Sequence, residues 1–146
     1  MTAHFLIHEF RRPVPGSFVL IHAAAGGMGG LLVQWAKHLG ANVIGTVSTE
    51  AKARTARASG ADHVVRYAEQ DFVAEVKRIT ENRGADLIID GVGRTTFKGD
   101  LEAVATRGHI VIFGAEVLQL CSHPMVGWQD APPGIFGLWS IQVAPI

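Results

Sequence analysis

A doubly wound α/β fold, a parallel sheet with helices on both faces, follows from three features of the sequence. Short apolar runs alternate with amphipathic segments in units of roughly 20–30 residues. The apolar runs are nearly continuous rather than alternating, as strands buried on both faces must be. A glycine cluster, GGMGG, separates the first apolar run from the first amphipathic segment, where a right-handed strand–helix–strand unit makes its first turn.

Each element has a local reason. SFVLIHAA (17–24) follows a Pro-Gly break and reads as the first strand. LLVQWAKHLG (31–40) sets Leu32, Trp35, Ala36 and Leu39 at helical spacing, and Gly40 closes the helix. NVIGTV (42–47) is the second strand, after which Ser48 or Thr49 caps a helix over EAKARTARAS that Gly60 ends. HVVRY (63–67) is a short third strand. DFVAEVKRITE (71–81) lines up Phe72, Val76 and Ile79 on one helical face. ADLIIDGVG (85–93) is a strand running into a glycine turn, TTFKGDLEAVAT (95–106) is helical despite Gly99, and GHIVIFG (108–114) is the fifth strand. Residues 1–114 thus make one domain. Residues 115–146, with several prolines, two tryptophans and few charges, form a divergent apolar tail. It is either loosely attached or packed on an exposed surface, and IFGLWSIQV within it is a candidate extra strand.

Composition narrows the partners. Of the 146 residues 48% are hydrophobic, enough for a real core, and the formal net charge is zero with no basic stripe. This argues against nucleic acid or an anionic membrane as the main partner. The uncharged stretch from Pro13 to Ala36 carries two prolines, the glycine cluster, His22 and Gln34, a poor spanning helix. The start lacks a basic n-region and a small-residue cleavage site, so no signal peptide is expected. Cys121 is the only cysteine, which excludes an intrachain disulfide and fits a reducing, cytoplasmic setting.

The glycines then acquire a purpose. In a doubly wound sheet the first strand–helix turn is where a dinucleotide pyrophosphate sits. Ala24-x-Gly26-x-x-Gly29 matches that fingerprint with alanine in the first glycine's place. Gly26 would let the backbone approach the phosphates, Gly29 would let the helix pack closely on the strand, and the helix start would supply free N–H groups. The competing reading is a tight turn without ligand. At the end of the second strand an NAD-binding chain carries an acid for the ribose 2′-hydroxyl. Here Val47 and Ser48 occupy that point, Glu50 lies beyond, and Lys52 follows. A missing carboxylate with a nearby lysine suits a 2′-phosphate, and so NADPH.

GSFVLIHAAAGGMG, LGANVIGTVSTEAKA, GADHVVRYAEQDF, GADLIIDGVG and GHIVIFG together resemble the quinone oxidoreductase (zeta-crystallin-like) branch of the medium-chain dehydrogenase/reductase superfamily, including its 2-haloacrylate reductases. The resemblance covers roughly residues 1–114. It implies a Rossmann-type NADPH-binding domain and zinc-independent reduction of a small molecule, a quinone or an activated alkene. By the same resemblance Lys52 and Tyr67, with Ser48 nearby, hold the 2′-phosphate. Gly26, Gly27, Met28 and Gly29 make the loop contacts, and Val92, Gly93, Phe113 and Gly114 flank the nicotinamide. MTAHFLI is similar to the family's lead-in helix, whose threonine, here Thr2, approaches the cofactor. Two departures stand out: the family's D-S-V-G is Asp90-Gly91-Val92-Gly93 here, and the asparagine before the tyrosine is Arg66. The family's barrel-like substrate domain has no counterpart in these residues, so the chain is expected to be the cofactor part of a longer enzyme. The alternative is a non-catalytic NADPH-binding module or redox-sensing subunit. Apolar surface left by a lost domain would favour association into a homo-oligomer.

The remaining candidates read as structural. The seven histidines are scattered, and Cys121 with His123 cannot complete a zinc site, so no metal is expected. His22 reads as a satisfied core residue rather than a base, Asp90 as an acceptor for backbone or cofactor amides rather than an acid–base catalyst, and Trp35 as core. No catalytic residue is identified.

Overall fold

The computed structural model describes residues 2–114 and the backbone of residues 138–142. Eleven elements are present among them: α1 (Thr2–His8), β1 (Phe18–Ile21), α2 (Gly27–His38), β2 (Asn42–Val47), α3 (Glu50–Ala58), β3 (His63–Arg66), α4 (Phe72–Ile79), β4 (Ala85–Asp90), α5 (Phe97–Ala103), β5 (Val104–Phe113) and β6 (Leu138–Gln142). The sheet runs β3-β2-β1-β4-β5-β6. The first five strands are mutually parallel, and β6 lies antiparallel on the outer edge of β5. The expected doubly wound α/β fold is therefore present. The strand order reverses at β1, so a crevice opens between the carboxyl ends of β1 and β4, where such sheets bind ligands.

Strand alternation sends successive side chains to opposite helical layers. Val19 and Ile21 of β1 join Leu6 and Ile7 of α1, Leu32 and Val33 of α2, and Val43, Ile89 and Val111 of the sheet. Leu20 points the other way, into a second core with Ile44, Val65, Val76, Ile88, Ile110 and Ile112 beneath α4 and α5. Each fully buried aliphatic side chain contributes roughly 1.5–3 kcal/mol from area removed from water.

The punctuation acts as its chemistry demands. Thr49 caps α3, accepting from the Lys52 N–H at 3.2 Å, and Asp71 caps α4, accepting from the Val73 N–H at 3.0 Å. Gly40 and Gly60, at φ +82° and +110°, follow the ends of α2 and α3. Several boundaries move from expectation, β1 ending at Ile21 rather than Ala24 among them. Helix α2 begins at Gly27, so most of the glycine cluster is already helical. Helix α5 stops at Ala103, and Val104–Thr106 belong to β5, the β-branched ends of that triplet favouring strand. Among the described residues no helix is long and apolar enough to cross a membrane. Of the tail, residues 115–137 and 143–146 lie outside the described residues.

Candidate functional site

A groove of about 160 Å³ lies over the carboxyl ends of the strands, lined by Ala23, Ala25, Gly26, Val47, Ser48, Lys52, Tyr67 and Val92. Five of these were expected from sequence: Gly26, Ser48, Lys52, Tyr67 and Val92. Val47 lines it at the point where the sequence lacks the usual acid, and Ala23 and Ala25 line it without having been singled out, since alanines carry no chemical signature.

The glycine loop divides into parts with different reasons. A Cβ on Gly29 would stand 2.2 Å from the Ala23 carbonyl oxygen, so only glycine lets α2 pack this closely on the chain leaving β1. Gly26 is different. It sits in ordinary extended backbone, φ −73° and ψ 169°, and caps α2 with no side chain to satisfy the helix's N–H groups. A Cβ there would meet nothing closer than the Ala23 oxygen at 3.3 Å, and one on Gly27 nothing within 4 Å. Internal packing therefore requires Gly29, leaves a Cβ on Gly26 tight against one carbonyl oxygen, and does not account for the open space above Gly27. The first N–H groups of α2 have no intrahelical acceptor. Met28, in the same turn, is half-buried against the first core. Ala24 is fully buried, its methyl facing Gly45, and stands under the groove rather than in it.

At the far end, the Lys52 ammonium donates to Ser48 Oγ at 3.2 Å, leaning back over the end of β2. Tyr67 is 54% exposed beside them. Glu50, the nearest carboxylate to the usual ribose position, is committed to Arg57 at 3.4 Å and Arg66 at 3.5 Å. This also gives Arg66 its role: it bridges Glu50 and Glu69, the latter at 2.7 Å.

On the β4 side, Val92 and Gly93 form the turn after Asp90. Gly91 stands where the resemblance expects serine, and a Cβ there would meet Phe113 Cζ at 2.7 Å. The Phe113 ring occupies the space a side chain would need, so the hydroxyl is exchanged for aromatic packing at the end of β5. Gly114 follows, exposed and at φ +100°. Thr2 opens α1; its side chain lies outside the described set. Phe113 and Gly114 are not among the described residues lining the groove.

Beneath the groove lies a polar cluster that the sequence reading only half found. His22, Asp90 and Asp100 are 3%, 0% and 0% exposed. His22 Nε2 is 2.7 Å from Asp100 Oδ1 and Nδ1 is 2.9 Å from Thr46 Oγ1. Asp90 Oδ1 accepts from the Val92 N–H at 2.7 Å and the Gly93 N–H at 2.9 Å, and Oδ2 accepts from the Thr96 hydroxyl at 2.5 Å. Burial and then the neighbouring Asp90 charge push the Asp100 carboxyl up to about 7, against the opposing pull of His22. Burial also works to raise Asp90, but His22 and hydrogen bonds from Asp100, Thr96 and Gly93 outweigh it and hold that carboxyl below its ordinary value. His22 and Asp90 are satisfied interior groups. Asp100 was missed, although one signal existed: it shares the inward face of α5 with Phe97 and Ala103.

These three are the one set of metal-ligating side chains that converges among the described residues, their ligand atoms within 4.8 Å of one another. They do not fit a resident zinc. Both His22 nitrogens and both Asp90 oxygens already have hydrogen-bond partners, and a dry cluster leaves no open coordination position. The other described histidines do not assemble with them. His4 and His8 stack on each other, ring centroids 4.3 Å apart, and both meet Trp35 edge-on. Trp35 is accordingly half-buried, packed on the rim of the first core.

The chain was compared with known proteins. Residues 27–129 match the model of the zinc-binding dehydrogenase family. A 2-haloacrylate reductase from Burkholderia sp. is 49% identical over 114 residues, covering 78% of this chain and 34% of that protein. Quinone oxidoreductase 1 from Escherichia coli (strain K12) is 41% identical over 114 residues, covering 78% of this chain and 35% of that one. The crystal structure of Escherichia coli quinone oxidoreductase complexed with NADPH superimposes with a TM-score of 0.70 at 41% identity, over 73% of this chain and 33% of that one. The chain thus spans about a third of the length of these relatives. By its fold, its glycine-edged switch point and the extent of these matches, the chain belongs to the zinc-binding dehydrogenase family, within the medium-chain dehydrogenase/reductase superfamily.

Proposed function

We propose that this chain is the NADPH-binding part of an oxidoreductase that reduces a quinone or an activated carbon–carbon double bond. One observation carries the reading: the glycine edge at the start of α2, where Gly27 has nothing within 4 Å and the extended backbone of Gly26 does not itself call for glycine. A pyrophosphate approaching the N–H groups of α2 accounts for that edge. Lys52 and Ser48, already hydrogen-bonded to each other, and the exposed Tyr67 would hold a 2′-phosphate, while Glu50 is turned away into its arginine pairs. Val92 and Gly93, with Phe113 and Gly114 behind them and Thr2 from α1, would flank the nicotinamide. Bound there, NADPH supplies a hydride to the acceptor. The relatives' names support this class of acceptor, and the Escherichia coli quinone oxidoreductase was crystallised with this cofactor.

Titration by cofactor fluorescence, with NADPH and NADH at one fixed salt concentration, tests the reading. The expected result is a tenfold to hundredfold preference for NADPH, corresponding to about 1.5–3 kcal/mol from a charge-assisted bond. Equal binding of the two cofactors would refute the 2′-phosphate assignment. A second reading has its own observation: among the described residues, no titratable side chain lines the Val92 end of the groove. That favours a cofactor-binding module without turnover of its own, which NADPH oxidation assays with quinones and haloacrylates distinguish from the first.

A further inference from the structure

The buried cluster under the groove has one atom out of place. Asp100 Oδ2 is inaccessible to water and, as a bare carboxylate oxygen, has no hydrogen-bond donor among the described residues. Leaving such an oxygen charged and unpaired is costly. A proton on that atom removes the problem, because Asp100 would then have a hydrogen to give to Asp90, whose carboxylate stands in the same buried cluster, the ligand atoms of His22, Asp90 and Asp100 lying within 4.8 Å of one another. The rest of the network falls into one direction. With His22 protonated at Nε2, the Thr46 hydroxyl would donate to His22 Nδ1, His22 Nε2–H to Asp100 Oδ1, and Asp100 to Asp90. Asp90 in turn accepts from Val92, Gly93 and Thr96.

We infer that Asp100 is a positioning residue: a neutral, buried carboxyl whose proton lets Asp90 carry the cluster's single negative charge and so hold the Val92–Gly93 turn in shape. The inference rests on the proposed cofactor reading only in giving that turn the nicotinamide end of the site. The geometry isolates the proton. His22 and Asp90 are the titratable groups facing Asp100. β2 presents Thr46, and α4 presents the uncharged Phe72 ring, edge-on to His22 at 4.9 Å. Lys98 and Glu102 on α5 and Arg94 in the preceding turn are exposed. When Asp100 loses its proton, two carboxylates face each other without water. Asp90 is then drawn off or repelled from the Val92 and Gly93 N–H groups, and the turn loosens. A metal ion is the other way to neutralise facing carboxylates. It is disfavoured here because His22 and Asp90 have no free lone pairs to offer.

Three measurements on the full chain test this. Infrared spectra of the protein alone should show a buried carboxylic acid band that is absent from Asp100→Asn and disappears on titration above about pH 7. Carbon NMR of the Asp100 carboxyl at pH 6 should show the protonated acid. The NADPH dissociation constant of wild type should rise about tenfold between pH 6 and pH 9, the sign expected when cofactor binding favours the protonated cluster. In Asp100→Asn, whose amide keeps both the acceptor for His22 and a donor to Asp90, it should change less than twofold once the shared titration of the 2′-phosphate is subtracted. A wild-type spectrum with no carboxylic acid band would make this an ordinary ion pair and overturn the inference. So would identical pH profiles of the two proteins, or one equivalent of zinc retained through chelator dialysis. If wild type binds no NADPH, the cofactor reading fails, and the infrared and NMR results alone decide whether Asp100 holds the proton. Should Asp100→Asn not fold, the titration of the wild-type carboxylic acid band carries the same decision.

Discussion

At the scale of single residues, glycines that look alike in the sequence separate by what surrounds them. Gly29→Ala should cost about 3 kcal/mol in urea unfolding, because its Cβ meets a carbonyl oxygen at 2.2 Å and backbone has little room to yield. Gly27→Ala, with nothing within 4 Å, should leave stability unchanged or raise it by up to about 1 kcal/mol through helix propensity. Gly26→Val should weaken NADPH and NADH together, since its side chain would fill the space proposed for the phosphates, and should also cost some stability because its Cβ would stand 3.3 Å from the Ala23 carbonyl oxygen. Lys52→Ala should remove most of the tenfold to hundredfold NADPH preference and leave NADH affinity nearly unchanged, as read by the same titration. A loss shared equally by both cofactors would place Lys52 elsewhere in the site.

At the scale of elements, α5 shows tertiary packing overruling propensity. Gly99 lies inside this helix, where alanine would be favoured by about 1 kcal/mol. A Cβ there would stand 2.4 Å from Phe72 Cζ, so glycine is what lets α4 and α5 approach and seal Phe72 over His22. Gly99→Ala should therefore destabilise by about 1–2 kcal/mol in thermal melts, and adding Phe72→Leu should recover part of the loss. Equal stability of Gly99→Ala and wild type would mean that the ring moves aside freely. The caps are simpler. Thr49→Ala and Asp71→Ala should each cost about 1 kcal/mol, additively, since the two helix starts share no partner.

At the scale of the whole molecule, the cluster makes stability depend on pH in a direction unusual for carboxylates. Asp100 rises to about 7 in the folded chain from an ordinary value of 3.8, so between these values the native state holds a proton that the unfolded state has released. Stability from this group is present below about pH 4 and lost as pH rises toward 7, by on the order of a few kcal/mol. Asp90 acts oppositely: its lowered carboxyl contributes above the ordinary value and is lost only as pH falls below it. Chemical unfolding from pH 4 to pH 8 should show wild type weakening and Asp100→Asn nearly flat across that range; parallel curves would contradict the raised value. The alternation of elements, the glycine turn and the absence of an acid after β2 were all legible in the sequence, because each rests on local periodicity or on one residue's conformational or charge requirement. The same was true of Thr49 as a cap and of Lys52 near Ser48, which lie one helical turn apart. Tertiary structure alone decided the rest. Asp100 lies 78 positions from His22, and only the packing of α5 beneath β1 turns a charged helix residue into a buried partner. Gly91 looked like a lost hydroxyl until the ring of Phe113, 22 positions on and across the β4–β5 pair, was seen to fill its place. Ala24 looked like part of the phosphate loop until Gly45 drew it into the core. Local sequence carries periodicity and capping; contacts between distant elements are set by how the sheet stacks its strands, and it is there that burial assigns these residues their protons and their neighbours.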